Sequence, residues 1–158
     1  MNNELYVKVS AFIDFENDLL DAQQYEQWLP LWQEEGLYIV PIDLSNDDYV
    51  NQLNYAYDNA AMRRMRVARL SSGESISVDI NGGTIRLTSR LRVTEVGDDI
   101  VEARCALLIN ESRLGENRQF VANVEYQLVP NGESYTIKQK VVKLINAEDY
   151  LRTISYIL

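Results

Sequence analysis

Apolar residues in the first fifth of the chain recur at three- and four-residue steps. Leu5, Val9, Phe12, Phe15 and Leu19 fall on one face, which predicts a helix. Asp14, Glu16, Asp18 and Asp21 lie mostly off that face. Asp21 can cap a second helix, because a carboxylate accepts the orphan N–H groups of a first turn. Tyr25, Trp28, Leu29 and Trp32 make the next apolar stripe, with a kink or restart expected at Pro30 and a stop at Gly36. Leu37-Tyr38-Ile39-Val40-Pro41 reads as a short strand, and 43–52 as an acidic loop. Leu53, Tyr55 and Tyr57 alternate like an edge strand. Asp58 or Asn59 can cap a third helix running to about Leu70, with Ala61, Met62, Met65 and Ala68 inward.

The second half changes period. From Thr84 to Glu95 the side chains alternate, with Ile85, Leu87, Leu91 and Val93 on one face and Arg86, Thr88, Arg90, Arg92 and Thr94 on the other. Turn signals stand at Asn81-Gly82-Gly83, at Gly97-Asp98-Asp99 and at Pro130-Asn131-Gly132. Ile100 to Ile109 reads as a strand covered on both faces, and Glu111 to Asn117 as a polar loop. Phe120, Ala122, Val124, Tyr126 and Leu128 mark a third long strand, and Tyr135 to Ile145 a fourth. The tail, 146–158, is short and amphipathic. Helices followed by long antiparallel strands predict a single α+β domain over 1–158, its helices packed on a strongly curved, mainly antiparallel sheet. Such a roll, of the nuclear-transport-factor-2-like or cystatin-like kind, encloses a cone-shaped pocket and serves isomerases, dehydratases and purely structural subunits alike.

Composition narrows the chemistry. The chain has 158 residues, no histidine and one cysteine. A Rieske centre needs two His and two Cys, and a mononuclear non-haem iron site needs two His and a carboxylate. Ser-His and Cys-His nucleophilic pairs are equally out of reach. The dense acid pairs Asp47-Asp48 and Asp98-Asp99 read as turn residues, and Asn81-Gly82-Gly83-Thr84 lacks the phosphate-loop lysine. An all-carboxylate Mg²⁺ or Ca²⁺ site stays open in principle, and otherwise no metal or cofactor is expected in this chain. What remains is carboxylate and tyrosine chemistry, with Asp14, Asp21, Tyr25, Tyr38 and Tyr55 as candidates for an isomerase or dehydratase. The plainer reading leaves the aspartates solvated or capping and the tyrosines in the core.

Charge is unevenly placed within a net of -9. Residues 1–60 hold 12 acidic side chains and one basic one, Lys8, leaving 12 acidic and 14 basic of the 24 and 15 in the chain. Arg63-Arg64-Met65-Arg66 with Arg69 is the one basic cluster. Without interleaved aromatics it reads as neutralising the acidic half or a partner rather than binding nucleic acid. No apolar run approaches the roughly 18 residues of a membrane helix, and no leader-like stretch opens the chain. A cytoplasmic, soluble protein is expected.

Several motifs in order carry a resemblance. Leu19-Leu20-Asp21 is followed by Tyr25–x–x–Trp28-Leu29 and by the Tyr38 strand ending at Pro41. Then come Tyr57-Asp58, Arg66-Val67 with Arg69-Leu70, Thr84-Ile85-Arg86 with Ser89 and Val93, and Val141-Val142-Lys143-Leu144. Together they resemble the small (beta) subunit of aromatic-ring-hydroxylating dioxygenases over nearly the whole chain. Ser75 to Gly83 replaces the family's usual Trp and Pro-Pro-Ser-Arg-Thr segment. Arg90 stands where Asn is usual, and Ile145-Asn146 where Leu-Asp is usual. The resemblance implies a structural, non-catalytic subunit serving aromatic catabolism. It also implies an oxygenase large (alpha) subunit as partner, carrying the Rieske [2Fe-2S] cluster, the mononuclear iron and the substrate pocket, and assembly as a trimer or hetero-hexamer. A stand-alone isomerase or dehydratase and a non-catalytic small-molecule-binding module are the alternatives.

Overall fold

The computed structural model describes residues 2–72, 83–146 and 157–158. The turn expected at Asn81-Gly82 and most of the amphipathic tail lie outside the described residues. Helix α1 (Asn3–Asp21), a single turn α2 (Tyr25–Trp28), β1 (Trp32–Pro41), β2 (Asn54–Asp58) and α3 (Ala60–Ser71) precede four long strands. These are β3 (Gly83–Val96), β4 (Ile100–Arg113), β5 (Glu116–Asn131) and β6 (Ser134–Leu144). They form one open sheet in the order β2-β1-β6-β5-β4-β3, antiparallel except where β1 runs parallel to β6. Helix α1 packs on both β3 and β6, which are three strands apart, so the sheet wraps around it. The α+β architecture is the one the element order predicts.

The helices differ in detail from their sequence patterns. In α1 the inward stripe is Val9, Phe12, Ile13, Glu16, Leu19 and Leu20, whereas Phe15 is 50% exposed. The second helix stops at Trp28, because the three-residue 3-10 turn Leu29–Leu31 contains Pro30. Its N-cap is Gln24, so Asp21 does not cap it. Gly36 is not a helix stop but lies inside β1, beside the irregular register between Trp32 and Leu37. Helix α3 starts at its Asn59 cap as expected, but turns Ala60, Arg63 and Val67 inward and leaves Met62 and Met65 in water. The reason is Arg63, whose guanidinium lies 4.3 Å from the Trp32 ring centroid and donates to the carbonyls of Gly36 and Gln33. Arg64 pairs with Glu34 and Arg66 with Asp58, so the basic cluster neutralises the acidic half of its own chain.

The strands carry two irregularities with large consequences. A one-residue slip turns every later side chain to the opposite face. In β3 the register jumps between Ser89 and Arg92, where Arg90 has φ 54°. Leu91 faces the core beyond the jump, whereas before it Arg86 is buried and Ile85 and Leu87 are 63% and 60% exposed. The single apolar face expected for this strand is thus split between both sides of the sheet. In β6 the partners of Gln127 and Leu128 are Gln139 and Ile137, so Lys138 is extra. Lys140, Val142 and Leu144 face the core after it. The segment 111–117 is no loop: β4 and β5 continue to a two-residue turn at Leu114-Gly115, both at positive φ as a tight hairpin requires. On β4 only the odd-numbered side chains from Val101 to Glu111 are fully buried, so its other face is not covered as expected.

A Cβ added at Gly36 would lie 2.9 Å from the carbonyl oxygens of Gln33 and Ile137 and from the Trp32 ring. Two of these neighbours are backbone and cannot swing away. Gly36→Ala is expected to lower stability by about 1–3 kcal/mol, read as a reduced denaturation midpoint in urea.

Candidate functional site

The polar chemistry of the molecule converges on Glu16. Its side chain projects from the middle of the apolar stripe of α1, with no exposed surface. One carboxylate oxygen accepts from the Tyr126 hydroxyl at 2.7 Å. The other accepts from the Trp28 indole N–H at 3.0 Å and from the Lys140 ammonium at 2.9 Å. Lys140 also donates to the Leu158 carbonyl at 3.0 Å, and its Nζ lies 5.5 Å from the Tyr126 ring centroid. The Leu158 N–H donates to the Tyr38 hydroxyl at 3.0 Å. Five elements, α1, α2, β1, β5 and β6, and the chain segment 157–158 are tied together by these bonds.

Burial sets the titration behaviour of this network. It pushes the Tyr38 hydroxyl up to about 12, and the Tyr126 hydroxyl well above the usual tyrosine range, with Glu16 adding to the latter. It holds Lys140 below the ordinary lysine value, against the pull of Glu16. Three donors hold the Glu16 carboxylate, and the side chain has no exposed surface through which a substrate atom could reach it. The arrangement holds charge in place. It is not set to move a proton to a ligand.

The candidate residues are dispersed. Asp14 sits on the exposed side of α1, at a cleft lined by Ser10, Thr88, Ser89 and Arg90. Asp21 is a tether: it accepts from Arg86 Nη1 at 2.6 Å, from the Arg86 backbone N–H and from the Thr84 hydroxyl. Arg86 Nη2 in turn donates to the Ile157 carbonyl. Tyr25 is a buried core residue, and Tyr55 packs at the core margin. Tyr38 stacks edge-on against Trp28 and Trp32. Glu16, Tyr126 and Lys140 were missed as a site by sequence reasoning. The one available signal was Glu16 itself, spaced four residues from Phe12 and from Leu20 inside an apolar stripe.

Metal chemistry fits this chain poorly. There is no histidine, and burial raises the Cys105 thiol to about 11. Among the described residues no group of three or more His, Cys, Asp or Glu could hold a metal ion. Nor is any helix among them long and apolar enough to cross a membrane.

The motif residues now have structural explanations. Asp21 meets Arg86, Trp28 meets Glu16, and Asp58 meets Arg66. The model of the ring-hydroxylating beta subunit family matches residues 16–149. The chain belongs to that family. It is 24% identical over 151 residues to the small subunit of anthranilate 1,2-dioxygenase from Acinetobacter baylyi, covering 92% of this chain and 93% of that one. The crystal structure of the beta subunit of benzoate 1,2-dioxygenase from Burkholderia mallei superposes with a TM-score of 0.77 at 23% identity, over 94% and 95% of the two chains. An NTF2-like protein with a cystatin-like fold from Novosphingobium aromaticivorans shares the fold at a TM-score of 0.63 and 16% identity, over 93% and 86%. The family and the roll fold are those the motifs resemble.

Removing one member of the buried pair leaves the other charged and alone, which costs about 3–5 kcal/mol. Glu16→Gln or Lys140→Met is expected to lower stability by that order in urea denaturation. The double variant Glu16→Leu/Lys140→Met should lose less than the sum of the two single changes. A second outcome concerns alkaline pH. Folded Tyr38 keeps its proton between pH 10 and about 12, where the unfolded chain loses it. Its contribution to stability is complete below pH 10 and falls as pH rises to 12. Tyrosinate absorbance should show Tyr38 and Tyr126 ionising only as the protein unfolds, and Tyr38→Phe should remove one such late-titrating group.

Proposed function

We propose that this protein is the non-catalytic small subunit of an aromatic-ring-hydroxylating dioxygenase and acts in assembly. One observation carries the reading: the residues that mark the family are spent on internal tethers, namely Asp21–Arg86, Glu16–Trp28 and Asp58–Arg66. Side chains bonded to one another in this way brace a scaffold. The donor set does not fit an iron centre, so the Rieske cluster and mononuclear iron belong to an oxygenase large subunit, in which the aromatic ring is bound and oxygenated. The two subunits assemble in the cytoplasm, with copies of this chain associating as a trimer within a hetero-hexamer and the whole of 1–158 acting as one domain.

Co-expression with a large subunit carrying Cys–x–His and Cys–x–x–His motifs tests this. The two chains should co-purify, with iron and colour present in the complex and absent from this chain alone. Aromatic substrate should be oxidised by the complex even when Tyr38→Phe is introduced here. Capture of no oxygenase subunit, or turnover of a small molecule by this chain alone, would overturn the proposal.

A further inference from the structure

Residues 157–158 sit in the core as a bound ligand would. Ile157 and Leu158 are fully buried and join the apolar cluster that includes Trp28, Tyr38 and Tyr126. They belong to no helix or strand, and among the described residues they make no hydrogen bond to another backbone group. Side chains supply their bonds instead. Arg86 Nη2 donates to the Ile157 carbonyl and Lys140 Nζ to the Leu158 carbonyl, while the Leu158 N–H donates to the Tyr38 hydroxyl. Three strands, β1, β3 and β6, thus converge on two carbonyls and the amide between them. An apolar hollow with a few fixed polar groups is how small-molecule sites are built.

The cradle is anchored independently of its occupant. Glu16 holds Lys140, and Asp21 and the Thr84 hydroxyl hold Arg86. Each cation is neutralised by its own carboxylate, so the site suits an uncharged amide better than an anion. It also has bonding capacity to spare. Arg86 Nε is buried without a hydrogen-bond partner among the described residues, and the Tyr38 hydroxyl accepts a bond there but donates none. Buried donors left over in this way call for a further acceptor. We propose that this cradle is a binding site for a short apolar peptide amide, closed in this structure by the chain's own residues 157–158. Their withdrawal breaks no ladder or helix bond, so the site can open while the sheet stays intact. The inference goes beyond the assembly role and does not depend on it.

The full chain carrying Ile157→Gly/Leu158→Gly tests it, since this variant loses both side chains and keeps the backbone. The probe is the N-acetylated, amidated Ile-Leu dipeptide, which reproduces the buried groups and adds one carbonyl. The variant should unfold at lower urea than the wild-type chain, and saturating probe should move its midpoint back up. The wild-type midpoint should not move. Where the variant does not fold alone, the probe should restore its near-UV circular dichroism. Adding Tyr38→Phe removes the acceptor for the ligand N–H, spares the Glu16–Lys140 pair, and should weaken the probe about tenfold. A variant that ignores the probe, or responds equally to the Gly-Gly analogue, would overturn the proposal. So would unchanged affinity in the Tyr38→Phe background, or a wild-type chain that binds the probe as tightly as the variant.

Discussion

A carboxylate and an ammonium group with almost no access to water hold the centre of this fold. Glu16 and Lys140 are 0% and 1% exposed. Ions so placed are tolerable only when each is paired and its remaining bonding capacity is satisfied. Tyr126, Trp28 and Leu158 supply those bonds. The requirement links α1 to α2, β5, β6 and the segment 157–158, because one misplaced element would strand a charge. An apolar core of equal volume could have been as stable. It would not have demanded one register of helix against sheet so strictly.

The same economy governs the second tether. Arg86 is held by Asp21 at the end of α1 and reaches the Ile157 carbonyl, so α1 is pinned to β3 as well as to β6. Arg63 does the equivalent work for α3, bridging carbonyls of β1 while lying over Trp32. Three buried cations therefore set the positions of both long helices on the sheet. This is the construction expected of a supporting subunit, whose value lies in a fixed outer shape. The roll that could enclose a ligand is instead braced across its interior by side chains bonded to one another.

Surface chemistry follows from the same framework. The slip at Arg90 and Leu91 turns Arg86 inward and leaves Ile85 and Leu87 outside. An interior tether and an exterior apolar row thus share one cause. Concentrating acidic residues in the first 60 positions places negative charge on α1 and the loops near β1, while arginines gather on the outer sheet face. The two sets of charges meet within the molecule, where Lys143 pairs with Glu125 and Asp47, and where Asp14 and Arg90 line one cleft.

Much of this was legible in the amino-acid order. The helix-then-strand sequence, the Asn59 cap, the edge strand at 54–58, the turn at Asn131-Gly132 and the alternating β5 follow from local periodicity and turn chemistry, which act over a few residues. The absence of histidine bounds the chemistry by composition alone. The family resemblance rested on the order of short motifs, and those motifs proved to be the tethers. What periodicity could not reveal was the face on which a side chain emerges after a bulge. Lys140 reads as an outward residue beside Val141 until Lys138 is recognised as unpaired, and Arg86 reads as outward until the jump beyond Ser89 is seen. Glu16 was likewise set aside in favour of Phe15, because an isolated helix gains nothing by burying a charge. Only the tertiary structure, by bringing Lys140, Tyr126 and Trp28 from other elements to within 3.0 Å, made that burial favourable.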